Sequence, residues 1–282
     1  MSYADTLPKQ RPFGETTRPD AWWLQPLAVF LGFSAFIIYS TWAAFQGIGD
    51  MHAGLGHASY WYGGHGADYL SPFYSPEIWG VSGHALLGTT LPACWPAWAP
   101  FSPAFLILWV PAGFRFTCYY YRGAYYKAFW ADPINCAVGE PRKKFLGERY
   151  FPLIVQNIHR YFFYLAALFI VLLSYDAWKA MWFETDGVKH FGIGVGTLVM
   201  ILNPIFLGLY TFGCHSLRHL IGGFLDTKSK AKTCGKAYNC VSCLNRKHMM
   251  WAWISLFWVG FTDVYVRLCA TGHLSDVVFF KF

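Results

Sequence analysis

The sequence predicts an all-α membrane protein, a bundle of five transmembrane helices with a long outer loop. Three observations carry this. Of 282 residues, 55% are hydrophobic and only 13% charged, about half the roughly 25% charged share of soluble domains. Aromatic residues make up 21%, and Trp and Tyr collect at membrane–water interfaces. Several apolar runs reach the ~20 residues that a helix needs to cross the hydrocarbon. The net charge of +7 would suit nucleic acid if it formed one basic face. Here the basic residues cluster between apolar runs, so the partner they predict is a lipid bilayer and not nucleic acid.

The elements follow in order. Residues 1–20 are polar, lack the apolar core and small-residue cleavage site of a secretory signal, and read as a loose cytoplasmic tail. The helix bundle occupies 21–270. Its first span covers about 22–46 without a charge. The second, about 101–121, carries Arg115. The third, about 153–175, has His159 and Arg160 near its start. The fourth covers about 191–217, with Asn203 and Pro204 inside it. The fifth, about 249–268, contains Asp263 and Arg267, an i, i+4 pair able to neutralise each other. Residues 271–282 form an outer tail.

Lys and Arg set the orientation. Residues 19–114 contain neither. The segment after the second span has Arg122, Lys127, Arg142, Lys143, Lys144 and Arg149. The segment after the fourth has Lys228, Lys230, Lys232, Lys236, Arg246 and Lys247. The positive-inside rule then places the N-terminus and both basic segments in the cytoplasm of a multi-pass plasma-membrane protein. Residues 47–100 and the C-terminus lie outside. The 47–100 segment, with His52, His57, His65 and His84, reads as an ordered aromatic cap; the irregular, Gly-rich spacing of its histidines makes a poor metal site.

The chemistry gathers at the inner ends of the spans. At ~1.5 Å per residue, Cys118 falls near the inner end of span two. His159 falls one to two turns into span three. Cys214, His215 and His219 fall near the inner end of span four, in "FGCHSLRHLIGG". Ionisable groups within a membrane are costly and point to function. His215 and His219 share one helix face. Cys118 is a partner thiolate, and the loop carrying Cys136 can fold back to supply another. Two His on one iron and two Cys on the other is the Rieske arrangement; the rival is haem b between His159 and His215 or His219. The residues alone leave both open. In "RFTCYYYRGAYYKAFW", Arg115, Tyr119 and Arg122 offer donors for a quinone carbonyl beside an interfacial aromatic belt, and Arg218 is placed to join them.

Eight cysteines are present. On this topology only Cys94 and Cys269 lie outside, where a disulfide between them is permitted. Cys234, Cys240, Cys243 and His248 lie in a short basic loop whose single C-x-x-C is a weak metal signal.

Three motifs in order, "CYYYRGAYYKAFW", "CAVGEPRKKFLGERYFPLIVQNIHRYFFYLA" and "GCHSLRHLIGG", with "LNRKHMMWAWISLFWVGFTDVYVRL" after them, resemble the membrane-anchor subunit of actinobacterial succinate dehydrogenases. The resemblance covers about 115–268. It implies a subunit seated below a flavoprotein with covalent FAD and an iron–sulfur subunit with three clusters. Electrons from succinate would pass into the membrane and reduce menaquinone or ubiquinone. A further small membrane subunit is left open. The resemblance also implies a Rieske-type [2Fe–2S] centre in place of haem. Cys118, Cys136, His159, Cys214, His215 and His219 all match family positions. The favoured set is Cys118 and Cys136 with His215 and His219; His159 and Cys214 are the substitutes.

Overall fold

A computed structural model describes residues 11–54, 58–96, 98–142, 149–151, 153–223 and 232–282. His57, Lys143, Lys144, Lys228 and Lys230, named above, lie outside the described residues.

The chain is mostly helical. Among the described residues, four helices are long and apolar enough to cross a membrane: α1 (Leu24–Ala53), α4 (His159–Lys179, extended by a preceding 3-10 turn from Leu153), α5 (Val195–Phe212) and α8 (His248–Ala270). In α1 only 11% of the most apolar stretch is buried by the rest of the chain, so Leu31 and Ile38 are exposed on an apolar surface that suits lipid. The expected second span is not one helix. A 3-10 turn at Pro103–Leu106 leads into α2 (Trp109–Thr117), and Cys118 separates it from α3 (Tyr119–Ala128). The fourth span likewise stops at Phe212, and a short α6 (His215–Gly222) follows. The expected loop at 232–247 is a helix, α7 (Lys232–Arg246). Tyr238 of α7 lies where Gly222 of α6 has no side chain.

Strands also occur, contrary to the all-helical expectation. β1 (Trp61–Tyr62) pairs with β2 (Tyr69–Leu70). β3 (Trp182–Thr185) and β4 (Val188–Gly194) form a hairpin, and β5 (Val278–Lys281) from the C-terminal segment adds to β4, giving the antiparallel order β3-β4-β5. Trp182, Phe183, Val188, Phe191 and Ile193 have β propensity, which a hydropathy reading overlooks. Gly66 has φ +80, and a Cβ there would strike the Glu184 carbonyl, so this close approach of the cap to β3 needs glycine.

The chain divides into two compact units, Met1–Ile37 with Arg115–His159, and Ile38–Phe114 with Arg160–Phe282. In the first, Phe33 of α1 meets Tyr121 edge-on at 5.0 Å and Phe30 packs on Phe129 at 4.9 Å. The expected loose tail is tied down over 11–22. Gly14 donates to the Gly139 carbonyl at 3.1 Å, Gly139 donates to Glu15 at 2.8 Å, and Thr16 bridges to Val138.

In the second unit, α5 packs on α8, and the core joins both helices to the cap through Tyr62, Tyr69, Phe183, Val199, Met200, Tyr265 and Val266. Residues 58–96, within the segment read above as a cap, pack aromatics against one another. Tyr60 and Tyr74 stack at 3.9 Å and are fully buried. Two buried carboxylates of this unit are matched to hydroxyl donors, as buried polar groups require: Glu77 accepts from Tyr60 at 2.6 Å, and Asp276 from Tyr69 at 2.7 Å and Tyr265 at 2.6 Å. Cys269 is buried in this core, whereas Cys94 is exposed, and both thiols are free. The disulfide expectation is therefore corrected: the apolar packing that places Cys269 beside Tyr265 and Val266 keeps it from a surface thiol.

His84 is clamped between carboxylates. Its Nε2 lies 2.5 Å from Asp68 and its Nδ1 3.6 Å from Asp176, with Lys179 3.0 Å from Asp68. Burial opposes charge on His84, but hydrogen bonds to Asp176 and Asp68 outweigh it and push the pKa up to about 9. The folded value lies above that of an unfolded histidine. The stabilisation is therefore complete below about pH 6.5 and is lost as pH rises through about 9. Thermal unfolding of the purified protein should show a lower midpoint at pH 10 than at pH 7, and His84→Gln should flatten that dependence. An unchanged pH dependence in His84→Gln would show that another group is responsible.

Candidate functional site

Two of the three buried cysteines, Cys118 and Cys214, share a local design. Cys118 and Cys214 are 3% and 1% exposed. Each has an extended backbone, φ −65, ψ 132 and φ −74, ψ 155, and each is the N-cap of the short helix that follows it, α3 or α6. The Cys214 sulfur accepts from the Leu217 amide at 3.4 Å. The amides of a helix's first turn favour negative charge at the cap, which suits an anionic sulfur. A Cβ on Gly213 before Cys214 would lie 2.7 Å from the Leu209 carbonyl, so glycine fits the close approach at this break; neither break is visible in hydropathy.

In the first unit, Cys136 is exposed in the loop that the N-terminal segment holds. His159 is buried, its Nδ1 2.9 Å from the Thr117 hydroxyl, a partner sequence reading missed. Arg115 donates to the Tyr121 hydroxyl at 2.6 Å, and the Arg122 guanidinium lies 4.1 Å from the centre of the Tyr119 ring. The α2–α3 break thus gathers Cys118, two arginines and an exposed Tyr119 within one stretch of chain.

In the second unit, His215 and His219 sit one turn apart on α6, both exposed. Gly223 leaves space for the His219 ring, since a Cβ there would lie 2.9 Å from it. Arg218 donates to the Tyr238 hydroxyl at 3.0 Å and lies 5.1 Å from that ring's centre. Tyr238 on α7 is a second feature the sequence reading passed over, because its helix was read as a loop. Cys234, Cys240 and Cys243 are all exposed on that helix. His248 stacks on Tyr210 at 4.9 Å.

The six candidate ligands thus fall on two units: Cys118, Cys136 and His159 on one, and Cys214, His215 and His219 on the other. Among the described residues, no three His, Cys, Asp or Glu side chains converge on one point. Cys118 and Cys136 are thiols and His215 and His219 imidazoles, the donor types that a Rieske-type cluster uses.

Comparison with known proteins follows the same direction. No curated protein matches the sequence. A solved structure described as the Mycobacterium smegmatis Sdh1 complex in the apo form contains a chain 40% identical to this one, covering 97% of each chain with a TM-score of 0.82. Residues 24–272 match the family of the actinobacterial succinate dehydrogenase subunit SdhC. With apolar helices, buried helix-capping thiols and this family match over most of its length, the chain belongs to the SdhC family of succinate dehydrogenase membrane subunits.

Proposed function

We propose that this subunit anchors the flavoprotein and iron–sulfur subunits of succinate dehydrogenase to the membrane and passes their electrons through a Rieske-type [2Fe–2S] centre to quinone. The observation that carries the reading is the placement of buried Cys118 at a helix break, beside Arg115, Tyr119 and Arg122 in sequence and capping a helix whose dipole favours an anionic ligand. Cys118, Cys136, His215 and His219 hold the centre, with His159 and Cys214 as the alternates. When bound, the centre supplies one-electron transfer at a potential raised by its two imidazoles. The residues of the chain do the rest. Cys118 is kept from water by its burial. Arg115 and Arg122, fixed against Tyr121 and Tyr119, hold positive charge and N–H donors where a menaquinone or ubiquinone carbonyl docks. Arg218, braced by Tyr238, adds a further donor.

The expected second span, about 101–121, is the fifth crossing: the 3-10 turn Pro103–Leu106 and α2 lie within it, and Cys118 stays near its inner end. An odd number of crossings puts the two termini on opposite sides, and the Lys and Arg distribution favours the N-terminus in the cytoplasm.

Haem b between His159 and His215 or His219 is the rival. A reduced spectrum of the purified complex decides. A broad EPR signal of low average g, distinct from the clusters of the partner subunit, is the expected result. Sharp alpha and Soret bands would replace the cluster by haem; neither signal would leave an anchor without a redox centre.

A further inference from the structure

We infer that the N-terminal segment positions Cys136, with Arg18 as the anchor of that strap; the inference rests on Cys136 being a ligand of the proposed centre. Arg18 is used at every face of its guanidinium. Nε donates to Asp20 at 2.7 Å and Nη2 donates to the same carboxylate. Nη1 donates to the Asn135 side-chain oxygen at 3.1 Å and to the Cys136 carbonyl at 3.0 Å. The same Asn135 oxygen accepts the Cys136 amide at 2.8 Å, and the Asn135 amide donates to the Trp22 carbonyl at 2.8 Å. Both polar groups of the Cys136 backbone are therefore occupied, and every partner leads back to residues 18–22.

The next residue is held harder still. Ala137 has φ +59, a left-handed conformation costing a non-glycine residue about 1–2 kcal/mol. Such strain persists only where surroundings over-determine it, and it gathers at functional sites. The surroundings here are again the N-terminal segment: Arg11 donates to the Ala137 carbonyl at 3.1 Å and Thr16 donates to it at 3.0 Å. A Cβ on Gly139 would run into the Pro12 carbonyl, so the strap lies directly on the loop. A surface loop with no task needs neither a strained residue nor four hydrogen bonds donated by a distant segment. A thiolate ligand does, because partners behind a ligand set its orientation and the affinity and potential of the metal.

The test uses the purified complex with its centre loaded. Arg18→Ala should weaken iron binding by about 10–100-fold, the usual loss when a supporting partner of a ligand is removed. It should lower the EPR amplitude per complex and shift the midpoint potential of the remaining signal to more negative values, because the reduced, more negative centre loses a nearby donor. Gly139→Ala, which lifts the strap without touching Arg18, should do the same. Arg18→Lys restores the charge without the two-pronged donor and should recover the effect only in part. Succinate oxidation with an artificial acceptor should be unchanged. Cys136→Ser separates the levels. If it removes the signal while Arg18→Ala and Gly139→Ala keep wild-type amplitude and potential, Cys136 is a ligand and the strap does not position it. If Cys136→Ser keeps the signal, the ligand assignment fails and the inference with it.

Discussion

Replacing His219 by Ala abolishes the low-g EPR signal of the reduced complex and its quinone reduction, while succinate oxidation with an artificial acceptor continues. The expectation follows from where the residue sits. His219 is exposed on α6, and surface substitutions usually change stability by no more than about 0.5 kcal/mol. Helix α6 keeps its cap, since Leu217 still donates to the Cys214 sulfur. A lost signal therefore reports a lost ligand and not an unfolded chain. His215, one turn earlier on the same face, should behave identically. If the signal survives in His219→Ala, the second imidazole comes from elsewhere, and buried His159 is the next to replace. Its Thr117 partner would then be the group that fixes the ring, as outer partners of metal-bound histidines do.

The second large effect concerns stability. Asp263 on α8 is fully buried and pairs with Arg267 at 2.8 Å. It also accepts from Tyr39 of α1 at 2.5 Å and from Ser71 of the cap. Arg267 donates onward to Ser59 at 2.7 Å and to the Ala43 carbonyl at 3.0 Å, and Ser59 donates to Asp50 at 2.8 Å. One ion pair thus links α1, α8 and the cap. Asp263→Ala removes the carboxylate and strands a buried guanidinium, which costs about 3–5 kcal/mol. The purified protein in detergent should unfold at a clearly lower temperature and accumulate poorly. Replacing both members, Asp263→Leu with Arg267→Met, leaves no stranded charge and should recover much of the loss. A single variant that unfolds with the wild type would show that the pair does not hold these elements together.

These two cases show how unevenly the sequence speaks. The i, i+4 spacing of Asp263 and Arg267 was enough to expect their pairing, and the pair exists. Tyr39, Ser71 and Ser59 were not foreseeable, because they come from segments roughly two hundred residues away in the chain and no local pattern marks them. The strands β3, β4 and β5 were not legible, since short strands at the ends of apolar helices blur into the helix signal. The candidate ligands were found by type and depth alone. That Cys118 and Cys214 each cap a short helix was hidden, because hydropathy sees a continuous run where the backbone breaks.

By itself the sequence determined what depends on side-chain chemistry and local period: a membrane protein with long apolar helices, basic segments between them, sulfur and imidazole at the ends of particular helices, and motifs that carry the SdhC family. Only the tertiary structure decided what depends on backbone turns and on contacts between distant segments. It broke two helices at cysteine, made a helix of the Cys240–Cys243 segment, buried Cys269 away from Cys94, and folded a polar N-terminal segment onto the Cys136 loop. The physical reason is that hydrophobicity and charge are properties of each residue and its near neighbours. Hydrogen bonds such as Arg18 to Cys136 join residues whose meeting is set by the path of the whole chain.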